Sequence, residues 1–195
     1  MKIKIPVEIS ARHIHLCQKD LESLFGLGHE LKKIKQLGQP SDFAAQETIS
    51  IKNGSKILEN IRVVGPLREK TQIELSGTDA FYLEINPPIR LSGDLKNSAG
   101  AVLIGPAGEI KLDEGIIVAQ RHIHCATDEA KKFGLKNGEE VSVEIQGERP
   151  VTFHNVKIRL KDNYKLCLHL DTDEGNAAGI NKTGQGLIIK KFSFL

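Results

Sequence analysis

The chain has 195 residues, of which 39% are hydrophobic and 27% charged, a composition that suits one large or two small soluble domains with a core of useful size. Its 27 basic and 25 acidic residues leave a net charge of +2, and with no Trp and only two Tyr it lacks both the basic footprint and the interleaved aromatics of a nucleic-acid binder. No apolar run approaches the ~20 residues that cross a bilayer.

Met1 to Ile9 alternates Lys with Ile and Val and carries no signal-peptide core, so a cytoplasmic protein with no membrane partner is expected. Cys17, Cys125 and Cys167 show no Cys-x-x-Cys spacing, which points to reduced thiols in a reducing compartment.

In chain order, an alternating strand from Ile3 to Ile9 runs into Arg12-His13-Ile14-His15. Asp20 is expected to open a short helix, Leu21 to Phe25, closed by Gly26. A turn through Gly38 to Phe43, a strand from Glu47 to Ile51, a hairpin at Asn53-Gly54 and a return strand from Ile57 to Val64 follow, ended by Gly65-Pro66. The middle of the chain reads as a strand from Gln72 to Leu75, a turn at Gly77-Thr78-Asp79, strands at Arg90 to Gly93 and Ala101 to Gly105, and a turn at Gly105 to Gly108.

Ile116 to Ala119 then leads into Arg121-His122-Ile123-His124, and Thr127-Asp128 begins a second short helix through Phe133, stopped by Gly134. Strands at Val141 to Ile145, Val151 to Leu160 and Lys165 to Asp171 precede an apolar finish from Leu187 to Phe194. Many short strands with frequent Gly and Pro turns predict an all-β barrel or sandwich.

The two Arg-His-Ile-His stretches are the strongest signal. Alternate side chains of a strand share a face, so His13 and His15 point one way and Ile14 the other, and His122 and His124 repeat the arrangement around Ile123. Imidazole is the commonest biological metal ligand, so each strand offers half of a zinc site. A single such pair would be explained as well by an ordinary polar strand face, but the repeat extends further. Each copy leads to a short helix ending in Phe-Gly-Leu, and the corresponding histidines are 109 residues apart. Two related units are therefore expected, with both histidine pairs meeting at their junction.

Further ligands are sought by strand phase. Cys167, His169 and Asp171 share a face opposite Leu168 and Leu170, and Glu74 shares a face with Gln72 opposite Ile73 and Leu75. A solvated strand face is the plainer explanation for either. Arg68 and Arg90 stand beside tight turns, from which a guanidinium can fork onto a phosphate, although surface charge explains them equally. His29 and His154 have no comparable context.

Taken together, Ser10 to Leu16, Gly65-Pro66-Leu67-Arg68, Thr71 to Glu74, Asn86 to Asp94, Ala119 to His124 and His169 to Glu174 resemble, in order, the motifs of the phosphate propanoyltransferases, phosphotransacylases of the PduL type. The resemblance runs from about residue 5 to residue 179.

It implies a mainly β fold of two β-barrel domains related by an internal repeat, capped by short helices, with the active site in the cleft between them. Residues 1–11 plus 120–195 would form one barrel and residues 12–119 the other. The implied activity is the reversible reaction of acyl-CoA and phosphate to acyl phosphate and CoA, with propanoyl or acetyl groups. By the same likeness two zinc ions would be held by His13, His15, Glu74, His122, His124 and His169, their division left open. Arg68 would hold the phosphate, with Arg90, Arg12 and Arg121 as further substrate-binding candidates. Phosphate would attack the thioester directly while zinc binds the departing CoA sulfur; an acyl-cysteine route through Cys17 or Cys125 is the weaker option.

Family members packaged in microcompartments often carry an amphipathic N-terminal extension, so by the resemblance the strand beginning almost at Met1 favours a free enzyme of acetate or propionate metabolism. The family's assemblies make a homodimer an expectation. A binuclear zinc hydrolase and a zinc-stapled binding module are the rival classes.

Overall fold

In a computed structural model, which describes residues 2–189, the chain forms β1 (Lys2–Ile9), β2 (His13–His15), α1 (Gln18–Phe25), β3 (Lys33–Gln36), β4 (Phe43–Asn53), β5 (Lys56–Gly65), β6 (Gln72–Leu75), α2 (Gly77–Tyr82), β7 (Ile89–Arg90), β8 (Ala99–Ile104) and β9 (Glu109–Ala119). There follow β10 (His122–Cys125), α3 (Thr127–Phe133), β11 (Glu140–Ile145), β12 (Val151–Leu160), β13 (Cys167–Leu170), α4 (Thr172–Ala178) and β14 (Thr183–Ile189). The last part of the apolar finish, Lys190 to Phe194, lies outside the described residues.

These elements make two compact units. The first takes the chain up to Ser10, Gly38–Pro40 and the chain from Gln120 onward, and is a closed barrel in the order β1-β13-β10-β12-β11-β14. Its filling follows from strand alternation: Ile5, Val7, Ile123, Val143, Leu168 and Ile188 point inward from five different strands and are buried together.

The second unit, Ala11–Leu37 with Ser41–Ala119, closes in the same way. Its strands run β4-β5-β2-β6-β9, and β8 pairs with both β9 and β4 to complete the ring, while β3 and β7 extend it at β4 and β9. Ile14, Ile49, Ile61, Val63, Ile73 and Ile116 fill this core.

The two rings have one topology. In each, the histidine strand runs parallel to one neighbour (β5 or β12) and antiparallel to the other (β6 or β13). The strand after that runs parallel to β9 or β1. Each sequence repeat thus lends its first strand to the other repeat's barrel: β1 closes the ring of β10 to β14, and β9 closes the ring of β2 to β8.

The helices cap the ring ends. Leu21 and Leu24 of α1 are fully buried in the second unit's core. The helix end is fixed because the Leu24 carbonyl accepts the Ala107 N–H at 2.9 Å, and the chain passes so close that a Cβ on Gly105 would stand 2.4 Å from that oxygen. Asp20 is not the residue that opens α1. The N-cap is Cys17, whose N–H donates to Thr71 Oγ1 at 3.0 Å, and Asp20 accepts the Thr71 hydroxyl at 2.6 Å.

Gly77-Thr78-Asp79, expected as a turn, is the first turn of α2, because Ser76 and Asp79 close a capping box. Asp171 and Glu174 do the same for α4, with bonds of 2.8 and 3.1 Å. The strand expected at Arg90 to Gly93 is only the pair Ile89–Arg90.

Ile61 is 0% exposed at the centre of the second barrel. Ile61→Ala should lower stability by ~2–5 kcal/mol through lost burial and an unfilled cavity. The check is the urea midpoint at unchanged slope; a loss below about 1 kcal/mol would contradict this packing.

Candidate metal centres

Strand register builds both candidate sites. With Ile14 packed inside the second barrel, His13 and His15 face outward, and antiparallel pairing sets His13 opposite Glu74 and His15 opposite Gln72. With Ile123 inside the first barrel, His122 lies opposite His169 and His124 opposite Cys167. The ligand-type atoms of His13, His15 and Glu74 all lie within 4.8 Å of one another, and so do those of His122, His124 and His169. The six expected ligands therefore divide three and three, each triad inside one unit.

The hydrogen bonds leave these rings ready to donate a lone pair. The His13 Nδ1–H donates a hydrogen bond to the Ala11 carbonyl at 2.9 Å, and the His122 Nδ1–H donates one to the Gln120 carbonyl at 2.8 Å. His15 Nδ1 donates to the Val64 carbonyl at 2.9 Å. In all three the tautomer is set with Nε2 as the lone-pair nitrogen, the arrangement that metal-binding histidines use.

His124 is 7% exposed, packs against Tyr164 with ring centroids 4.1 Å apart, and neither of its ring nitrogens has a hydrogen-bond partner. A buried imidazole with no partner is costly unless something else satisfies it, and a cation among three histidines would. Burial pushes both His15 and His124 down to about 2, helped by their neighbouring histidines and by Arg68 and Arg159 respectively. Both rings are neutral at ordinary pH and have no proton to shed before binding a metal. The residues present fit a divalent transition ion.

A polar network adjoins the first of these triads. Gln72, 1% exposed, donates through Nε2 to Glu74 Oε1 at 2.6 Å and to Ser92 Oγ at 2.8 Å, while its side-chain Oε1 accepts the Gly93 N–H at 2.7 Å. Arg68 Nη1 donates to the same Ser92 Oγ at 2.9 Å, and its backbone N–H holds the Leu16 carbonyl at 2.9 Å. Arg68 is thus oriented by the residues that orient Glu74.

Arg12 bonds Asp79 at 2.7 Å and Arg121 pairs with Glu174 at 3.2 Å while lying over the Phe153 ring. Each ties a histidine strand to the capping box of the helix beside it. Arg90 pairs with Asp94 at 3.5 Å. Cys125 points into the first barrel's core, where burial raises its thiol to about 11, and Cys17 sits half-buried at the start of α1. His29, which drew no functional reading, donates to the buried Glu47 at 2.9 Å and serves to satisfy that carboxylate.

Residues 6–181 match the family model of phosphate propanoyltransferase. The chain belongs to this family. It is 46% identical over 189 residues to a phosphate propanoyltransferase of Thermotoga maritima, covering 96% of this chain and 90% of that protein. It is 48% identical over 178 residues to one of Lachnoclostridium phytofermentans, with 90% and 83% covered. For one of Shewanella putrefaciens the figures are 49% over 178 residues, with 91% and 84% covered.

As an acyltransferase of this family, the chain holds residues that local sequence pattern does not mark. Gln72 stands out only as a strand neighbour of Glu74, since nothing local shows that Ser92 comes within reach. Tyr164 lies in a loop with no pattern to mark it. The capping boxes were legible as Ser-x-x-Asp and Asp-x-x-Glu, and they explain both Arg12 and Arg121.

Burial, and after it the charge of Asp171, raises the Glu174 carboxyl to about 7, against the capping hydrogen bond and Arg121, which favour the charged form. Between the unfolded value near 4.5 and about 7 the folded chain keeps a proton that the unfolded chain has lost, so stability falls as pH rises through that window. Glu174→Gln retains a capping acceptor and removes the ionisation. Its melting temperature should gain on wild type from pH ~5 to ~8, by on the order of 2–3 kcal/mol of stability. A constant difference across that range would contradict the shift.

Proposed function

We propose that this family member is a zinc-dependent phosphate acyltransferase that converts acyl-CoA and inorganic phosphate reversibly to acyl phosphate and CoA, with propanoyl or acetyl as the acyl group. The observation that carries the reading is the pair of three-donor triads, above all the buried, unpartnered ring of His124. Three protein donors are the usual complement of a catalytic zinc and leave a position for substrate, whereas a structural zinc takes four. The relatives, phosphate propanoyltransferases by name, suggest the propanoyl group and phosphate as substrates.

Zinc held by His13, His15 and Glu74, and by His122, His124 and His169, would supply Lewis acidity toward the thioester carbonyl and a partner for the CoA thiolate. The chain's own groups do the positioning. Arg68 presents a planar fork of donors that suits a phosphate. Its bond to Ser92, and the bond of Ser92 to Gln72, hold that fork in register with Glu74. Orientation of this kind converts an encounter of two dissolved reactants into a directed one.

A phosphate oxygen attacks the acyl carbon, the carbon–sulfur bond breaks, and CoA leaves as its thiolate. No acyl-enzyme is needed, and Cys125 is poorly suited to form one, being turned into the core with its thiol raised.

The deciding experiment measures free thiol released from acetyl-CoA and propanoyl-CoA, with and without phosphate and with and without a chelator. Release should require phosphate, stop on chelation and return with zinc. Equal release without phosphate would make the chain a hydrolase, and undiminished turnover after complete metal removal would overturn the metal's role. Arg68→Ala should raise the KM for phosphate roughly 10- to 100-fold, the worth of one or two charge-assisted hydrogen bonds, with a smaller effect on acyl-CoA. Unchanged phosphate kinetics would remove Arg68 from the site.

A further inference from the structure

His169 has a second set of neighbours. Strand β1 runs parallel to β13 with Val7 opposite Leu168, Glu8 opposite His169 and Ile9 opposite Leu170. Val7, Leu168 and Leu170 are buried in the barrel core, so Glu8 projects outward on the face that carries His169 and, two residues earlier, Cys167. A carboxylate oxygen of Glu8, the sulfur of Cys167 and a ring nitrogen of His169 all lie within 4.8 Å of one another.

The cluster is held from outside as well. Gly38 lies so close over Glu8 that a Cβ there would stand 2.2 Å from Glu8 Oε2. The next residue, Gln39, is locked to the same barrel, its side-chain amide donating to the Lys165 carbonyl and accepting the Lys165 N–H, both at 3.1 Å. Cys167 itself is only 4% exposed.

We propose that Glu8, Cys167 and His169 form a third cation site, selective for thiophilic divalent ions, which competes with His122 and His124 for His169. A sulfur, a nitrogen and a hard oxygen donor together suit zinc or cadmium and disfavour magnesium or calcium, which prefer all-oxygen surroundings. Binding forms a sulfur–metal bond as the Cys167 thiol releases its proton to solvent, with no oxidation or reduction. One imidazole lone pair serves one ion at a time, so an ion here takes His169 from the triad. The site is therefore inhibitory: excess zinc, or a softer ion, would disable the centre that zinc at lower level completes. The competition rests on the triad being a metal centre; the existence of the cluster site does not.

Cadmium titrated into the full chain, followed by sulfur-to-metal charge-transfer absorption in the ultraviolet without substrates, tests this separately from acyl transfer. The band should saturate in wild type and in Cys17→Ser, and be absent in Cys167→Ser. Glu8→Gln, at a half-exposed position, should fold as wild type by circular dichroism and bind cadmium several-fold more weakly. His122→Ala, which leaves His169 with one competitor fewer, should bind it more tightly. A band that survives Cys167→Ser, or an affinity untouched by Glu8→Gln, overturns the site. Equal affinity in His122→Ala and wild type overturns the competition.

Discussion

One constraint underlies both candidate centres: in a strand of period two, the residue between two histidines must be buried for the histidines to be presented. Ile14 and Ile123 are each 0% exposed, and each lies on a strand flanked by a parallel and an antiparallel neighbour. Withdrawing an isoleucine side chain from water is worth ~1.5–3 kcal/mol. A slip of one residue would forfeit that gain and turn two imidazoles into an apolar core. The same core packing thus decides the fold and aims the donors. Because the opposite strand has the same period, the residue facing the first histidine is outward too, and so Glu74 and His169 complete their triads.

The two copies have kept this scaffold while changing what hangs on it. Glu74 corresponds to His169, so one triad offers a carboxylate oxygen beside two ring nitrogens and the other three ring nitrogens. Gln72 corresponds to Cys167, and where Gln72 fastens Glu74 and Ser92, Cys167 stands beside Glu8 and His169. The Arg before each histidine strand has the same task in both copies, bonding the third-position carboxylate of a capping box: Asp79 in one, Glu174 in the other. What repeats is the device that fixes a donor strand to a helix start, and what differs is the chemistry on the outer face.

Much of this was legible in the sequence because it depends on short-range pattern. Alternation exposes His13, His15, His122 and His124 as shared-face pairs, the 109-residue spacing exposes the duplication, and Asn53-Gly54 exposes a hairpin. The boundaries that failed did so where a distant partner decided the outcome. Asp20 resembles an N-cap, yet Thr71, fifty-one residues away, claims it and leaves Cys17 at the cap. The division of the six candidate ligands into two threes depends on which strands pair, and no local pattern records that. The place of Ser92 between Arg68 and Gln72 is of the same kind, a meeting of three loops and strands that sequence spacing does not foreshadow.

The exchange of first strands explains why the repeat in the sequence and the unit in space do not coincide. Apart from Gly38–Pro40, which belongs to the first unit, the unit boundaries fall at Ser10/Ala11 and Ala119/Gln120, each just ahead of an Arg-His-Ile-His stretch. A chain beginning at Gln120 would contain a whole sequence repeat except its leading strand, and its ring would stay open: without β1, the facing edges of β13 and β14 have no partner. It would also lose Ile3, Ile5 and Val7 from its core. Unpaired edges and an unfilled core invite association over folding. Each barrel is therefore conditional on a strand that belongs, by sequence, to the other repeat. Each histidine strand is joined through two or three residues to that exchanged strand, so neither candidate metal centre has its surroundings complete until both repeats are present in one chain.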